Sequence, residues 1–193
     1  MANSAFTVTG TGGGGGAQTL IQTITVANQK TVSFTTGITN IYGSFVVRVA
    51  NLICQSGDNA LLMNFSTNGG VSYDNTSGHY QWLFTGSAPA AYLNRNSTPT
   101  TSFNIMGQVT PNYGIDSTYP ASASIEIYNP LATTYVSYNA AVGYGLSAAI
   151  GGVVTGESSG YYNVSTGGVN AFQFSLANAD NMISGVFTLY GVT

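Results

Sequence analysis

Apolar and polar residues alternate with a period of two along most of this chain. Leu20, Ile24 and Val26 alternate with Ile21, Thr23 and Thr25, giving one wholly apolar face and one mixed face. Leu61, Met63 and Phe65 alternate with Asn64 and Ser66, and Phe172, Phe174 and Leu176 with Gln173 and Ser175. Ile125 and Ile127 flank Glu126. Successive side chains of a strand point to opposite faces, so each stretch reads as a half-buried strand. Tyr80, Trp82 and Phe84, at i, i+2 and i+4, read as one buried strand face. No window carries the spacing of an amphipathic helix, and β-branched and aromatic residues dominate.

Turn signals punctuate these runs, among them Thr36-Gly37, Ser56-Gly57-Asp58-Asn59, Ser77-Gly78, Asn129-Pro130 and Gly151-Gly152. Asn68-Gly69-Gly70, following Leu61–Ser66, predicts a hairpin, because Asn and Gly tolerate the positive φ such turns need. Roughly eight to ten short strands at this spacing imply a sandwich or barrel. The expected class is all-β, a jelly-roll-like antiparallel β-sandwich. From Gly86 to Tyr119 the pattern breaks. Pro89, Pro99 and Pro111 interrupt that stretch and Pro120 closes it, which predicts long loops around one strand near Phe103–Val109. Loops held by a rigid sandwich carry function, so a ligand site is expected there or over Tyr73–Trp82.

Ahead of the strands lies a low-complexity run, Thr9-Gly10-Thr11 and then Gly12, Gly13, Gly14, Gly15 and Gly16. It has nothing to bury. Residues 1–17 read as a disordered or extended Gly-rich N-terminal arm, a tether or a segment that orders only in an assembly, and residues 18–193 as one β-sandwich domain. The start has neither a basic nor an apolar leader pattern, so no secretory signal is expected. The small-apolar stretch Ala140 to Val154 is too short and too Gly-rich for a membrane helix.

Composition sharpens the picture through what it lacks. Charged residues are 5% of 193, against about 25% in ordinary domains, while the hydrophobic fraction is 44%. Ser, Thr, Asn, Gln and Tyr replace Lys and Glu. Lys30, Arg48 and Arg95 are the three cations, at a net charge of −3, too few to neutralise a phosphate backbone. Neither nucleic acid nor membrane insertion is expected. Cys54 is the single cysteine and sits in an apolar run, which makes it a small buried hydrophobe.

Candidate chemistry is sparse. Gly10-x-Gly12-x-x-Gly15 matches a dinucleotide fingerprint only as an accident of a glycine run, since it follows no strand and opens no helix. Gly145-Leu146-Ser147 lacks the second Gly of a nucleophile elbow. His79 is the one histidine, so triads and zinc sites lack their usual members, and a hydrogen-bonded structural role is expected for it. Asp58, Asp74, Asp116 and Asp180 stand in turn-rich segments where a carboxylate caps its own backbone. Calcium could use Asp58-Asn59 or Asp74-Asn75 with carbonyls, but no cofactor or metal is assigned. The reading is non-enzymatic. Four Asn-x-Ser/Thr sequons, at Asn64, Asn75, Asn96 and Asn163, are what an Asn-, Ser- and Thr-rich chain gives by chance. Aromatic residues are the remaining signal. Tyr73, Tyr92, Tyr161 and Tyr162, beside turn residues, are expected at the surface. With His79, they are the candidate ligand or glycan contacts.

The closing segment Val169-Asn170-Ala171-Phe172-Gln173-Phe174 and its ending Ile183-Ser184-Gly185-Val186-Phe187-Thr188-Leu189-Tyr190-Gly191-Val192 resemble small all-β structural proteins of tailed-bacteriophage virions. The segment Leu61 to Trp82 and the opening Ile21 to Tyr42 are similar to other parts of those proteins, so the resemblance covers about 18–85 and 168–193. It implies a virion location, as capsid-surface decoration or tail-fibre component, and no catalytic residues. Low charge fits a homo-oligomer, with a trimer favoured, whose arm (Gly10 and Gly12 to Gly16) docks on other virion proteins such as major capsid or tail proteins. The alternative is a lectin-like module or receptor-binding fibre tip that holds a host-surface glycan.

Overall fold

The computed structural model describes residues 16–89, 91–107, 113–146, 151–164 and 167–193, none of them helical. They form twelve strands, β1 (Gln18–Gln29), β2 (Thr31–Phe34), β3 (Ser44–Cys54), β4 (Ala60–Ser66), β5 (Tyr80–Ala88), β6 (Ala91–Thr100), β7 (Phe103–Gly107), β8 (Ala121–Tyr128), β9 (Val136–Gly145), β10 (Val153–Tyr162), β11 (Ala171–Leu176) and β12 (Met182–Val192). All pairings between them are antiparallel.

Strand order turns this inventory into a jelly roll. One sheet runs β1-β12-β3-β8-β9-β10-β5-β6 and the other β2-β11-β4-β7. Setting aside β5–β6 and β9–β10 leaves β1-β12-β3-β8 facing β2-β11-β4-β7, the two four-stranded sheets of that architecture. Two inserted hairpins then continue the first sheet beyond β8. The expected all-β sandwich is therefore what the chain forms, with more strands than the turn spacing implied. The extra ones come largely from the stretch after Gly86, where β6 forms in place of a loop. Pro99 lies within β6, and β6 is an edge strand, where a missing N–H costs no ladder bond. Val109, the expected end of the Phe103 strand, is outside the described residues, as are Gly10, Gly12, Gly13, Gly14 and Gly15 of the arm.

The core is aromatic. Phe45 and Phe187 from the large sheet interdigitate with Phe65, Phe172 and Phe174 from the small one, with ring centroids of 6.0 Å for Phe45–Phe172 and 5.3 Å for Phe174–Phe187. Each fully buried phenylalanine contributes roughly 1.5–3 kcal/mol of apolar transfer. Ile125, Ile127, Leu61, Met63 and the Tyr80–Trp82–Phe84 face all point inward, as their alternation predicts. Cys54 is buried among them, and burial pushes its thiol up to about 12.

Two sequence expectations fail. A β-bulge between Leu20 and Gln22 shifts the phase of β1, so Leu20 is exposed while Ile21 packs on the core. Asn68-Gly69-Gly70 is a turn with φ of 72° at Gly69 and 85° at Gly70, but it closes no hairpin. β4 pairs with β7 and β11, and the chain leaves the turn to enter the other sheet as β5.

The closing motif has a structural meaning residue by residue. Phe187 and Leu189 face the core, and Gly185, with φ of 147°, sits at the bulge where β12 shifts register against β3. Tyr190 lies on the outer face of the large sheet beneath the guanidinium of Arg48, 5.4 Å from the ring centroid.

Candidate functional site

Leaving the small sheet, Ser66 organises the turn after it. Its hydroxyl donates to Asn68 Oδ1 and accepts the backbone N–H groups of Asn68 and Gly70. Asn68 in turn accepts the N–H of Ser72 and donates to Ser72 Oγ. Such side-chain bonds to nearby backbone are what Ser and Asn offer when the chain departs from a sheet.

The loop then converges on Asp74. Its N–H donates to Phe65 O at 2.9 Å. Its carbonyl accepts from Asn64 Nδ2 and from Tyr80 Oη, both at 2.8 Å. Its carboxylate accepts the Thr76 N–H on Oδ1, while Oδ2 meets His79 Nδ1 at 2.6 Å and Tyr162 Oη at 2.6 Å. Burial alone would raise this carboxyl, but the hydrogen bonds from Tyr162, His79 and Thr76 outweigh it and hold the group down at about 2. An ionised carboxylate accepts only, so His79 donates from Nδ1 and, when neutral, presents Nε2 as an acceptor. Burial, and then the bond to Asp74, pushes the Tyr162 phenol well above its ordinary value.

These groups stand on two paired strands. His79 precedes β5 and Tyr162 ends β10, where Tyr162 lies opposite Tyr80 in the ladder. The wall they make, with Asn68, Ser72 and Tyr73, encloses an open depression of about 470 Å³. That volume falls in the range of small-molecule sites. The Tyr73 hydroxyl has no hydrogen-bond partner among the described residues.

Of the candidate contact residues, Tyr73, His79 and Tyr162 come together here. Tyr161 and Tyr92 do not. Tyr162, expected at the surface, is only 3% exposed. The reason is the strand itself, since consecutive residues face opposite sides and a tyrosine doublet on β10 cannot form one surface patch. Tyr161 points outward instead, its ring 6.1 Å from that of Tyr135. Beside it, Gln81, Leu83, Asn96 and Ser159 outline a shallow depression of about 250 Å³. Tyr92 stands alone on β6 at 75% exposure. Gly16, the one described glycine of the arm, lies against Thr193.

Asp74 itself is the residue that sequence reasoning underrated. It does cap its own backbone at Thr76, as expected of a turn aspartate, and the signal for more was a lone histidine five residues later. The remaining turn carboxylates bind backbone and neutral side chains. Asp58 accepts from Gly114 N–H, Asp116 from Thr118 N–H, and Asp180 from Ser56 and Asn59. Among the described residues no three His, Cys, Asp or Glu side chains group to hold a metal ion. No serine, threonine or cysteine among them is hydrogen-bonded to His79 Nε2, so the Asp74–His79 pair orients a ring without an attached nucleophile.

No protein-family model matches the chain, and comparison with curated proteins and with solved structures gives no significant match.

Proposed function

We propose that this protein is a non-enzymatic structural component of a tailed-bacteriophage virion, a capsid-surface decoration or fibre subunit that works as a homo-oligomer, with three copies favoured. The observation that carries the reading is the outer face of the eight-stranded sheet. Around Tyr128, Tyr135, Tyr161 and Leu83 its outward positions are Ser122, Ser124, Ser137, Asn139, Ala141 and Ser159, mostly short and uncharged. Among the described residues the charges on that face are Arg48, Glu126 and Glu157. Arg48 lies over Tyr190 and donates to Gln18, and Glu126 accepts from Ser44 and Tyr128. A broad face of neutral hydrogen-bonding groups around exposed tyrosines has the make-up of a protein–protein interface. The resemblance of residues 18–85 and 168–193 to virion proteins supports that location, and the N-terminal Gly-rich arm would dock on capsid or tail proteins.

The test is the mass of the full chain in solution by light scattering. A stable oligomer is expected, reduced to monomer by Leu83→Asp with Tyr161→Asp while the far-ultraviolet circular dichroism stays unchanged. A monomer at micromolar concentration, or an oligomer indifferent to both substitutions, sinks the assembly reading. Labelled antibody on intact virions tests the location.

A further inference from the structure

We propose that the Asp74 depression is a binding site for a neutral saccharide. The inference goes beyond the reading above, towards the host-surface glycan of the lectin-like alternative, and does not depend on the oligomer.

The argument is one of donors and acceptors. Tyr162 and His79 both direct a donor at Asp74 Oδ2, and Tyr80 directs its hydroxyl at the Asp74 carbonyl. Asn64 gives its amide hydrogens to the carbonyls of Asp74 and Thr101. With these donors turned inward, His79 Nε2, Tyr162 Oη and Asp74 Oδ1 present acceptors, beside the hydroxyls of Thr67 and Ser72 and the amide of Asn75, which can also donate.

Charge selects among ligands that carry hydroxyls. Among the described residues no Lys or Arg lines the depression, and the Asp74 carboxylate is part of its wall. An acidic sugar or a phosphate would meet repulsion there without a counter-charge. A neutral saccharide meets none, and its vicinal hydroxyls match closely spaced acceptors. The site is also preorganised, because Asp74 is anchored through N–H, carbonyl and carboxylate before any ligand arrives, so little ordering accompanies binding. A single shallow site binds weakly, and several copies on one particle would convert weak contacts into firm attachment.

The test is saturation-transfer nuclear magnetic resonance on the full chain at neutral pH. Glucose, galactose, mannose and N-acetylglucosamine serve as neutral probes, and N-acetylneuraminic acid as the anionic contrast. Transfer to at least one neutral sugar is expected, with none to the acid. His79→Phe should abolish it, and Tyr92→Ala, remote from the depression, should leave it unchanged. Near-ultraviolet circular dichroism confirms that each variant is folded. Absence of transfer to all four neutral sugars overturns the proposal, and so does equal transfer in the wild type and His79→Phe. Light scattering on the same samples keeps the two readings apart. A monomer that binds sugar refutes assembly alone, and an oligomer blind to sugar refutes this site alone.

Discussion

Asp74 ties the acid stability of the fold to the candidate site. Replacing it with Asn removes the charge while keeping the size. In the folded chain the carboxyl is held at about 2, against an ordinary value of 3.8, a gap worth roughly 2.4 kcal/mol. Its side chain is 19% exposed, and screening by water lowers that contribution to about 1–2 kcal/mol. Because the folded state holds this proton less tightly than the unfolded chain, the stabilisation is fully present above about pH 5 and drains away as the pH falls from 3.8 towards 2. Trp82, the single tryptophan and a buried one, reports unfolding by its fluorescence. Urea titrations from pH 6 to about 2 should then give two stability curves that converge. Other carboxylates titrate in both proteins, so the difference between the curves isolates Asp74. Asp74→Asn should be the less stable protein at pH 6 by about 1–2 kcal/mol and nearly equal to wild type at the acid end. Curves that stay parallel over the whole range would refute the reasoning.

Two further outcomes follow from buried groups. Ser158 on β10 donates to Asn104 O on β7, so Tyr138 must donate to Ser158 Oγ. Ser158→Ala leaves both partners stranded in the core and should cost about 2–4 kcal/mol, Tyr138→Phe about 1–2 kcal/mol, and the double variant less than their sum. Additive losses of urea stability would show that the three groups do not act as one chain. Cys54, buried and with its thiol pushed up to about 12, should resist a thiol reagent at pH 8 in the native protein and react once urea unfolds it. Fast labelling of the native state would contradict the packing described here.

Much of the fold was legible because a half-buried strand must alternate, and Phe172–Leu176, Leu61–Phe65 and Ile125–Ile127 do so without interruption. What escaped depended on partners far along the chain. The turn at Asn68 was recognisable from its residues, but which strand follows it into which sheet is decided by β11 and β7, distant in sequence. Pro99 argued against a strand, and only its place on a sheet edge makes it harmless. The bulge at Leu20 reverses an alternation that gave no local sign of reversal. The candidate site was legible in part. Tyr73 and His79 were singled out by their turn-rich surroundings. Their convergence with Tyr162 depends on β5 lying beside β10, and Asp74 gains its importance only when that pairing exists.

The placement of β11 and β12 bears on how the molecule comes into being. These two strands, the last of the twelve in chain order, occupy interior positions in both sheets, β11 between β2 and β4 and β12 between β1 and β3. A chain emerging from the ribosome can pair β8 with β9 or β5 with β6, but β1 has no neighbour in its sheet until Met182–Val192 has been made. Contacts so distant in sequence close slowly. Until then the apolar faces of β1, β2, β3 and β4 stand open to water and to other chains. Making Ala171–Val192 is therefore the step that locks the sandwich, and a chain cut short before Ala171 would lose the ladders of β11 and β12, and with them joints in both sheets, at once.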